Sequence, residues 1–207
     1  MTQAAATAGL ESTSPPRRRM AAADRRAQLL SAAISTIRSQ GADASMSEIA
    51  RTAGVTKPIL YEHFGDKSGL AEALSDRFLG ELGDSLEAIL TLDADPRTAI
   101  SDGIAMFAAF AEREPELYRF LVEGSPGGSR ESFDSPMLEG LADVVARFLV
   151  GSSPNQSAAA RSELWAVSVL GTVFSGVGWW LQRGGRSRDD LVADLTDLVW
   201  GGISGAA

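Results

Sequence analysis

Hydrogen-bond donors concentrate in one short stretch of the chain, residues 46–67, which holds Lys57, Tyr61, Lys67 and the single histidine, His63. Lysine can donate to guanine O6 or N7, and hydroxyl and imidazole groups can donate to phosphate oxygens. Because the chain has no cysteine and one histidine, it offers no thiolate or multi-histidine metal site and no Ser-His-acid set elsewhere. These residues favour contact with a nucleic acid over catalysis.

Two short helices joined by a tight turn are predicted to position these donors. Ser45 and Glu48 have the spacing of a capping box at the start of the first helix. Gly54 suits the turn because glycine tolerates positive φ. Thr56 then serves as N-cap of a second helix over residues 57–64. The arrangement is a helix-turn-helix.

The pattern Ile-Ala-xx-Ala-Gly-Val-Thr-Lys-x-x-Leu-Tyr-x-His-Phe-xx-Lys-xx-Leu resembles the DNA-binding signature of the TetR family of bacterial transcriptional regulators. The resemblance covers residues 24–74. It implies that the first turn of the second helix enters the major groove of DNA. The residues that we expect to contact DNA are Ser47, Arg51, Thr56, Lys57, Pro58, Ile59, Tyr61, His63 and Lys67.

Some of these residues have a second interpretation. Lys67 lies at a predicted helix start, where a cation opposes the helix dipole unless a phosphate is present, but a flexible surface lysine is the alternative. Tyr61 and His63 either donate to phosphate or form the polar rim of a small core. Glu62 must point away from phosphates, pair with a basic neighbour or accept from cytosine N4. Its role stays open.

The net charge of −8 argues against a polyanionic partner, but the charge is unevenly distributed. Residues 1–67 carry nine basic and six acidic side chains, whereas the remainder carries ten and twenty-one. A basic end on an acidic body orients the molecule toward a polyanion. Unevenness by chance is the alternative.

Apolar residues recur at helical spacing nearly throughout, which predicts an all-α fold of about nine helices. We expect a disordered tail over residues 1–21, a three-helix DNA-binding domain over 22–66 and a larger helical ligand-binding and dimerisation domain over 67–207. The predicted helices outside the helix-turn-helix span residues 22–39, 67–90, 96–114, 115–123, 136–151, 154–183 and 187–203, with a loop at 124–129.

Residues 164–181 contain no charged side chain and reach the lower length limit for a membrane span. One hypothesis is a membrane anchor, and the other is a helix buried between its own core and a partner subunit. Ser168, Thr172 and Ser175 within the stretch, and its position deep in the chain, favour the second hypothesis.

The last helix carries an apolar stripe that suits packing against another helix. The resemblance implies that the last two helices pair with their copies in a homodimer. Close approach of the backbones would be allowed by Gly171, Ser175 and Gly178, and the stripe consists of Leu191, Leu195, Leu198 and Val199.

The larger domain holds many bulky apolar side chains, which in the plainer interpretation are simply its core. The resemblance implies a cavity among these helices, and such a cavity suits a hydrophobic small-molecule effector. The candidate effector-binding residues are Met106, Phe107, Phe110, Leu117, Phe120, Leu121, Phe148, Trp165, Phe174 and Trp179.

We therefore expect a cytoplasmic, homodimeric TetR-like regulator, by default a repressor, that binds double-stranded, pseudo-palindromic operator DNA. An apolar effector would shift the long linking helix and change the spacing of the two DNA-binding domains. No enzyme activity, cofactor, metal or membrane is expected. The alternative is a helical ligand-carrying or membrane-associated protein with a vestigial DNA-binding motif.

Overall fold

The computed structural model describes residues 22–90, 95–123, 136–151 and 156–204, and all regular elements within these ranges are helices. The predicted all-α class and the number of helices are confirmed. The predicted tail and the loop at 124–129 lie outside the described residues. The helices are α1 (Ala22–Gln40), α2 (Met46–Thr52), α3 (Lys57–Phe64), α4 (Lys67–Ile89), α5 (Pro96–Arg113), α6 (Pro115–Tyr118), α7 (Pro136–Gly151), α8 (Gln156–Arg183) and α9 (Arg188–Ser204), and a π-helical turn (Arg119–Glu123) continues α6.

Helices α1 to α3 form the head, residues 22–66. The capping box is present: the Ser45 hydroxyl accepts from the Glu48 N–H at 3.3 Å, and the Ser45 N–H donates to Glu48 Oε2 at 2.8 Å. Gly54 has a φ of +65°, as the turn requires. Leu60, fully buried, fixes α3 against its neighbours, since a helix of 8 residues has little stability of its own.

Helix α4 leads from the head into the body, residues 67–204. Asp66 caps it, because its Oδ1 accepts from the Gly69 N–H at 2.9 Å. A Cβ atom on Gly69 would overlap the carbonyl oxygen of Phe64. Glycine is therefore needed for α4 to begin so close to the end of α3.

The body is a layered helical bundle in which α7 packs against α8 and α4, while α9 lies along α5. An aromatic cluster joins these layers. The Phe107 ring stacks on Phe174 with centroids 4.5 Å apart, and the Tyr118 hydroxyl donates to the Phe174 carbonyl at 2.7 Å. The cluster fixes α5, α6 and α8 relative to one another.

Helix α8 contains the long uncharged stretch. By length and composition Arg161–Arg183 is able to cross a membrane, and 39% of its most apolar window is buried inside the subunit. The buried side chains include Ala166, Leu170, Val173 and Val177, which recur every three or four residues. This spacing is that of a helix with one face in a protein core.

The predicted stripe on α9 is divided between the subunit core and the surface. Leu191, Leu195 and Val199 are buried within their own subunit, and Leu195 packs so closely on α8 that a Cβ at Gly176 would lie 2.8 Å from its Cδ2. Leu198 is 62% exposed. The buried face of α9 is rotated toward Val192 and Thr196, which leaves Leu198 outside it.

Candidate functional site

An open groove on the outer surface of the head brings together four of the predicted DNA-contacting residues. Ser47 comes from the first turn of α2, Lys57 and Tyr61 from α3, and Lys67 from the start of α4. The Lys57 Nζ lies 5.6 Å from the centroid of the Tyr61 ring. The remaining residues of this head groove are Asp43, Ser45 and Met46.

The first turn of α3 projects away from the head core. Lys57, Pro58 and Ile59 are exposed, and Arg51 is exposed on the preceding helix. Thr56 is the N-cap residue, but its side chain makes no capping hydrogen bond. An exposed cation beside two exposed apolar groups can meet a base edge and a thymine methyl group in the major groove.

His63 is half-buried at the end of α3, and its carbonyl accepts a hydrogen bond from Arg26 Nη1 at 3.0 Å. The Arg26 guanidinium also lies 4.8 Å from the centroid of the Phe64 ring. Arg26 therefore fixes the end of α3 against α1. Sequence reasoning missed this residue because the two partners lie 37 positions apart, and nothing local marks the pair.

Lys67 matches neither sequence interpretation in full, because it is half-buried rather than free at the surface. Its Nζ donates to the Ala42 carbonyl at 3.2 Å and lies 5.2 Å from the centroid of the Phe120 ring. Burial lowers the pKa of this ammonium, while the carboxylates of Asp43 and Glu48 act in the opposite direction. An ammonium has three donors, so the bond to Ala42 is compatible with a phosphate contact in the head groove.

The head is held to the body through α6 and the residue before it. Arg38 donates to both carboxylate oxygens of Glu114, at 2.8 and 2.6 Å, and this bond raises the pKa of the guanidinium. The Ala42 N–H donates to Glu116 Oε2 at 2.8 Å. Together with Lys67 these contacts fix the orientation of the head groove relative to the body.

A cavity of about 370 Å³ lies inside the body, between α4, α5, α7, α8 and α9. Three of the candidate effector-binding residues line it: Met106, Phe107 and Phe148. The lining residues that sequence reasoning missed are all uncharged and apolar, namely Leu86, Leu90, Pro96, Ala99, Ile100, Gly103, Ile104, Leu141, Val145, Leu149, Val169, Leu170, Val173 and Trp200.

The structure places the other seven candidates outside the cavity lining. Trp165 is half-buried, and Trp179 is 50% exposed because the inward position beside it is taken by Trp180. The remaining five fill space in the packed core of the body: Phe110, Leu117, Phe120, Leu121 and Phe174. Most of the aromatic candidates fill the packed core, whereas the cavity is lined largely by aliphatic side chains.

Helix α5 carries the two smallest residues of the cavity lining. Ala99 and Gly103 stand one turn apart on the face of α5 that lines the cavity. A Cβ on Gly103 would lie 3.2 Å from Leu86 Cδ1, so α4 and α5 approach closely there. Small residues on an apolar helix face are the signal that could have located the cavity.

Three large apolar side chains on α8 and α9 are exposed. Leu164, Trp179 and Leu198 are 67%, 50% and 62% exposed. On α9, Gly201 and Gly202 have open space where a side chain would stand. Large exposed apolar groups that form a contiguous patch are typical of a surface that meets another protein.

Comparison with known families and proteins gives a consistent result. The family described as "Bacterial regulatory proteins, tetR family" matches residues 29–74, and "Tetracyclin repressor-like, C-terminal domain" matches residues 85–207. An HTH-type transcriptional regulator of Mycobacterium tuberculosis is 29% identical over 188 residues, which cover 88% of this chain and 78% of the relative. The HTH-type transcriptional activator FasR of Mycolicibacterium smegmatis is 28% identical over 183 residues, covering 87% and 84%.

Solved structures share the fold. The transcriptional regulator FadR of Bacillus subtilis, in complex with stearoyl-CoA, superposes with a TM-score of 0.65 at 18% sequence identity. The match covers 84% of this chain and 96% of that protein. At this identity the likeness shows the arrangement of helices and carries no information on the ligand of this chain.

Proposed function

The chain belongs to the TetR family of bacterial transcriptional regulators, and from this premise we propose that it is a repressor that binds a pseudo-palindromic operator as a homodimer. The observation that carries the proposal is the head groove, where Ser47, Lys57, Tyr61 and Lys67 surround one hollow beside the exposed first turn of α3. The family consists of regulators rather than enzymes. We place the protein in the cytoplasm and the domain boundary at residues 66 and 67.

In the proposed complex the first turn of α3 enters the major groove of each half-site. Lys57 donates to guanine O6 or N7, and Pro58 and Ile59 contact thymine methyl groups. The phosphates on either side are contacted by Ser47, Arg51, Thr56, Tyr61, His63 and Lys67. These phosphate contacts fix the register of the head on the duplex, and the base contacts supply the sequence preference.

The proposed homodimer forms through α8 and α9. Leu164, Trp179 and Leu198 become buried between subunits, while Gly201 and Gly202 allow close approach of the backbones. The inward stripe of α9 stays within its own subunit. Two heads in a fixed relation then recognise two half-sites one helical turn apart, or a multiple of it.

The proposed effector is an apolar small molecule in the cavity of the body. It releases DNA only to the extent that it binds the DNA-free conformation more tightly than the DNA-bound one. Because Phe107 lines the cavity and contacts Tyr118 in α6, a ligand there acts on the helix that holds the head through Glu116. Movement of α4 changes the separation of the two heads.

Activation is the second candidate, since the relative FasR, 28% identical over most of both chains, is an activator. The same fold and the same DNA contacts serve either sign of regulation. The two candidates differ in where the operator lies relative to the promoter. A reporter assay with the gene deleted distinguishes them: repression predicts increased transcription, and activation predicts decreased transcription.

Fluorescence anisotropy with labelled DNA from upstream of the chain's own gene tests the proposal. We expect saturable binding of one dimer per site and at least about a thousandfold weaker binding to shuffled DNA of equal length. A Lys57→Ala variant that retains the wild-type circular dichroism spectrum serves as the control. If the folded protein binds both DNAs equally or binds neither, a genomic selection is used to search for another preferred site. Failure to recover one would contradict the proposal.

A further inference from the structure

We propose that the effector is an uncharged hydrocarbon chain and that coenzyme A conjugates and free carboxylates of the same chain are excluded. This inference rests on the proposed effector function and assigns the ligand class of the cavity. All lining residues that the structure describes are apolar, and Trp200 carries their only side-chain N–H or O–H donor. A ligand in the cavity therefore gains dispersion contacts and at most one conventional hydrogen bond to a side chain.

The desolvation of polar groups sets the preference. A hydroxyl or amide buried without a partner costs about 1–3 kcal/mol in proteins, and an unpaired carboxylate costs far more. No cation lines the cavity within the described part of the chain. A buried carboxylate would therefore lose its hydration without an ion pair in return, whereas a neutral hydroxyl group carries no charge to desolvate.

Two described arginines on the cavity-forming helices already have carboxylate partners. Arg97, next to the lining residue Pro96, is paired with Asp197 of α9, and Arg147 of α7 is paired with Glu87 of α4 at 2.6 Å. Each guanidinium is thus already neutralised by a carboxylate. A phosphate-bearing headgroup beside either arginine would have to compete with its carboxylate.

The charge of the whole body acts in the same direction. Residues 67–207 carry eleven basic against twenty-one acidic side chains, so a polyanionic ligand approaches a surface of its own sign. Coenzyme A conjugates carry several negative charges on their phosphates, and an alkane or alcohol carries none. The apolar lining of the cavity and the negative charge of the body therefore both favour the neutral ligand.

The test uses the full chain and four ligands with one carbon chain: decane, decanol, decanoate and decanoyl-CoA. Binding is followed by Trp fluorescence and thermal shift, and operator release by anisotropy. We expect decane and decanol to bind at least about tenfold more tightly than decanoate and decanoyl-CoA, as the desolvation costs require. The two neutral arms also separate a plain hydrocarbon from one with a hydroxyl head at Trp200.

A matched pair of variants locates the site. Val169→Phe places a ring in the cavity, whereas Val167→Phe adds the same bulk at a half-buried position two residues earlier that does not line it. We expect at least about tenfold weaker binding of decanol to the first variant and unchanged binding to the second. Unfolding curves of both variants test whether each is folded. If Val169→Phe does not fold, Val145→Phe on α7 replaces it.

The outcomes separate the two levels of the proposal. Tighter binding of decanoyl-CoA or decanoate would overturn the inference and leave an effector-regulated repressor standing. Binding of none of the four would overturn both the ligand class and the proposed effector function. Equal binding of decanol to Val169→Phe and to the wild type would show that the ligand lies elsewhere, and this also overturns the inference.

Discussion

The head and the cavity place their functional residues in opposite ways. In the head, most of the side chains that we assign to DNA contact project outward from α2 and α3 and support no core. In the body, the proposed ligand site is bounded by side chains that belong to the core itself, such as Phe107. Substitution therefore has different consequences in the two regions: in the head it removes function, and in the cavity wall it also removes stability.

The two regions also differ in how function depends on structure. A DNA-contacting residue acts through its own donor and needs only to be held at the right place on the head surface. The cavity is an empty space, and its position and size depend on the packing of helices from distant parts of the chain. Gly103 has no side chain and so allows α4 and α5 to approach closely at the cavity wall, but glycine alone does not indicate that role.

The largest expected effect concerns stability and tests this contrast directly. Phe107→Ala removes a buried ring that stacks on Phe174 and contacts Phe110 and Tyr118, so we expect a loss of about 3–5 kcal/mol in the free energy of unfolding. Tyr61→Ala, at an exposed position of the head, should change it by less than about 0.5 kcal/mol. Denaturant titration at one fixed protein concentration measures both. Comparable losses would abolish the distinction between the two regions.

The same contrast explains how much was predictable from the sequence. The capping box at Ser45, the positive φ of Gly54 and the outward Lys57 are encoded within a few neighbouring residues, so the head followed from local rules. Helix bounds in the body also followed, since Pro96 and Pro115 mark helix starts. These rules act over one or two helical turns.

The cavity and the outer face of α9 did not follow from the sequence. Which side of an apolar helix faces its own core, a void or a partner depends on neighbours far along the chain. Trp179 and Trp180 are adjacent and chemically identical, yet one is 50% exposed and the other 7% exposed. Periodicity in the sequence identifies the apolar face of a helix. Which surface that face contacts depends on the packing of the other helices, and for this reason the exposure of Leu198 was not predicted.

The second prediction concerns the dimer and extends the comparison to the outer face of α9. Leu198→Glu places a charge on the proposed subunit interface, and we expect a loss of about 2 kcal/mol or more in dimer stability. Ala193→Glu adds the same charge at an exposed position on the opposite side of the helix and should leave the dimer intact. Sedimentation velocity across a dilution series measures both. A Leu198→Glu protein that stays fully dimeric would remove α9 from the interface.

The third prediction sharpens the division of labour inside the head. Lys57→Ala should weaken operator binding by about 1–3 kcal/mol per half-site and affect random DNA much less, because base contacts carry the sequence preference. Arg51→Ala should weaken both equally and reduce the salt slope by about one unit, as expected for a phosphate contact. Salt-dependent anisotropy measures each slope. Equal losses on both DNAs for Lys57→Ala would reassign this lysine to the phosphate backbone.

The smallest expected effect is the acid sensitivity of two helix caps, one in each region. In the head, hydrogen bonds from the Ser45 backbone N–H and hydroxyl lower the pKa of the Glu48 carboxyl. In the body, hydrogen bonds from the Thr98 backbone N–H and hydroxyl likewise lower the pKa of Asp95. A carboxyl whose pKa is lowered by folding stabilises the folded state at pH values above its unfolded-state pKa, and this contribution is lost as the pH falls through the folded-state pKa.

Each cap has a variant that keeps the shape and removes the titration: Glu48→Gln, which can still complete a capping box, and Asp95→Asn. We expect each to flatten the fall in stability below about pH 4. All four tryptophans lie in the body, so their fluorescence follows the body, while amide exchange in α2 follows the head. If the two regions unfold separately, Glu48→Gln flattens only the exchange signal and Asp95→Asn only the fluorescence signal. If each variant flattens both signals, the contacts of Arg38 and Lys67 join head and body into one cooperative unit, and the contrast between the regions holds for function alone.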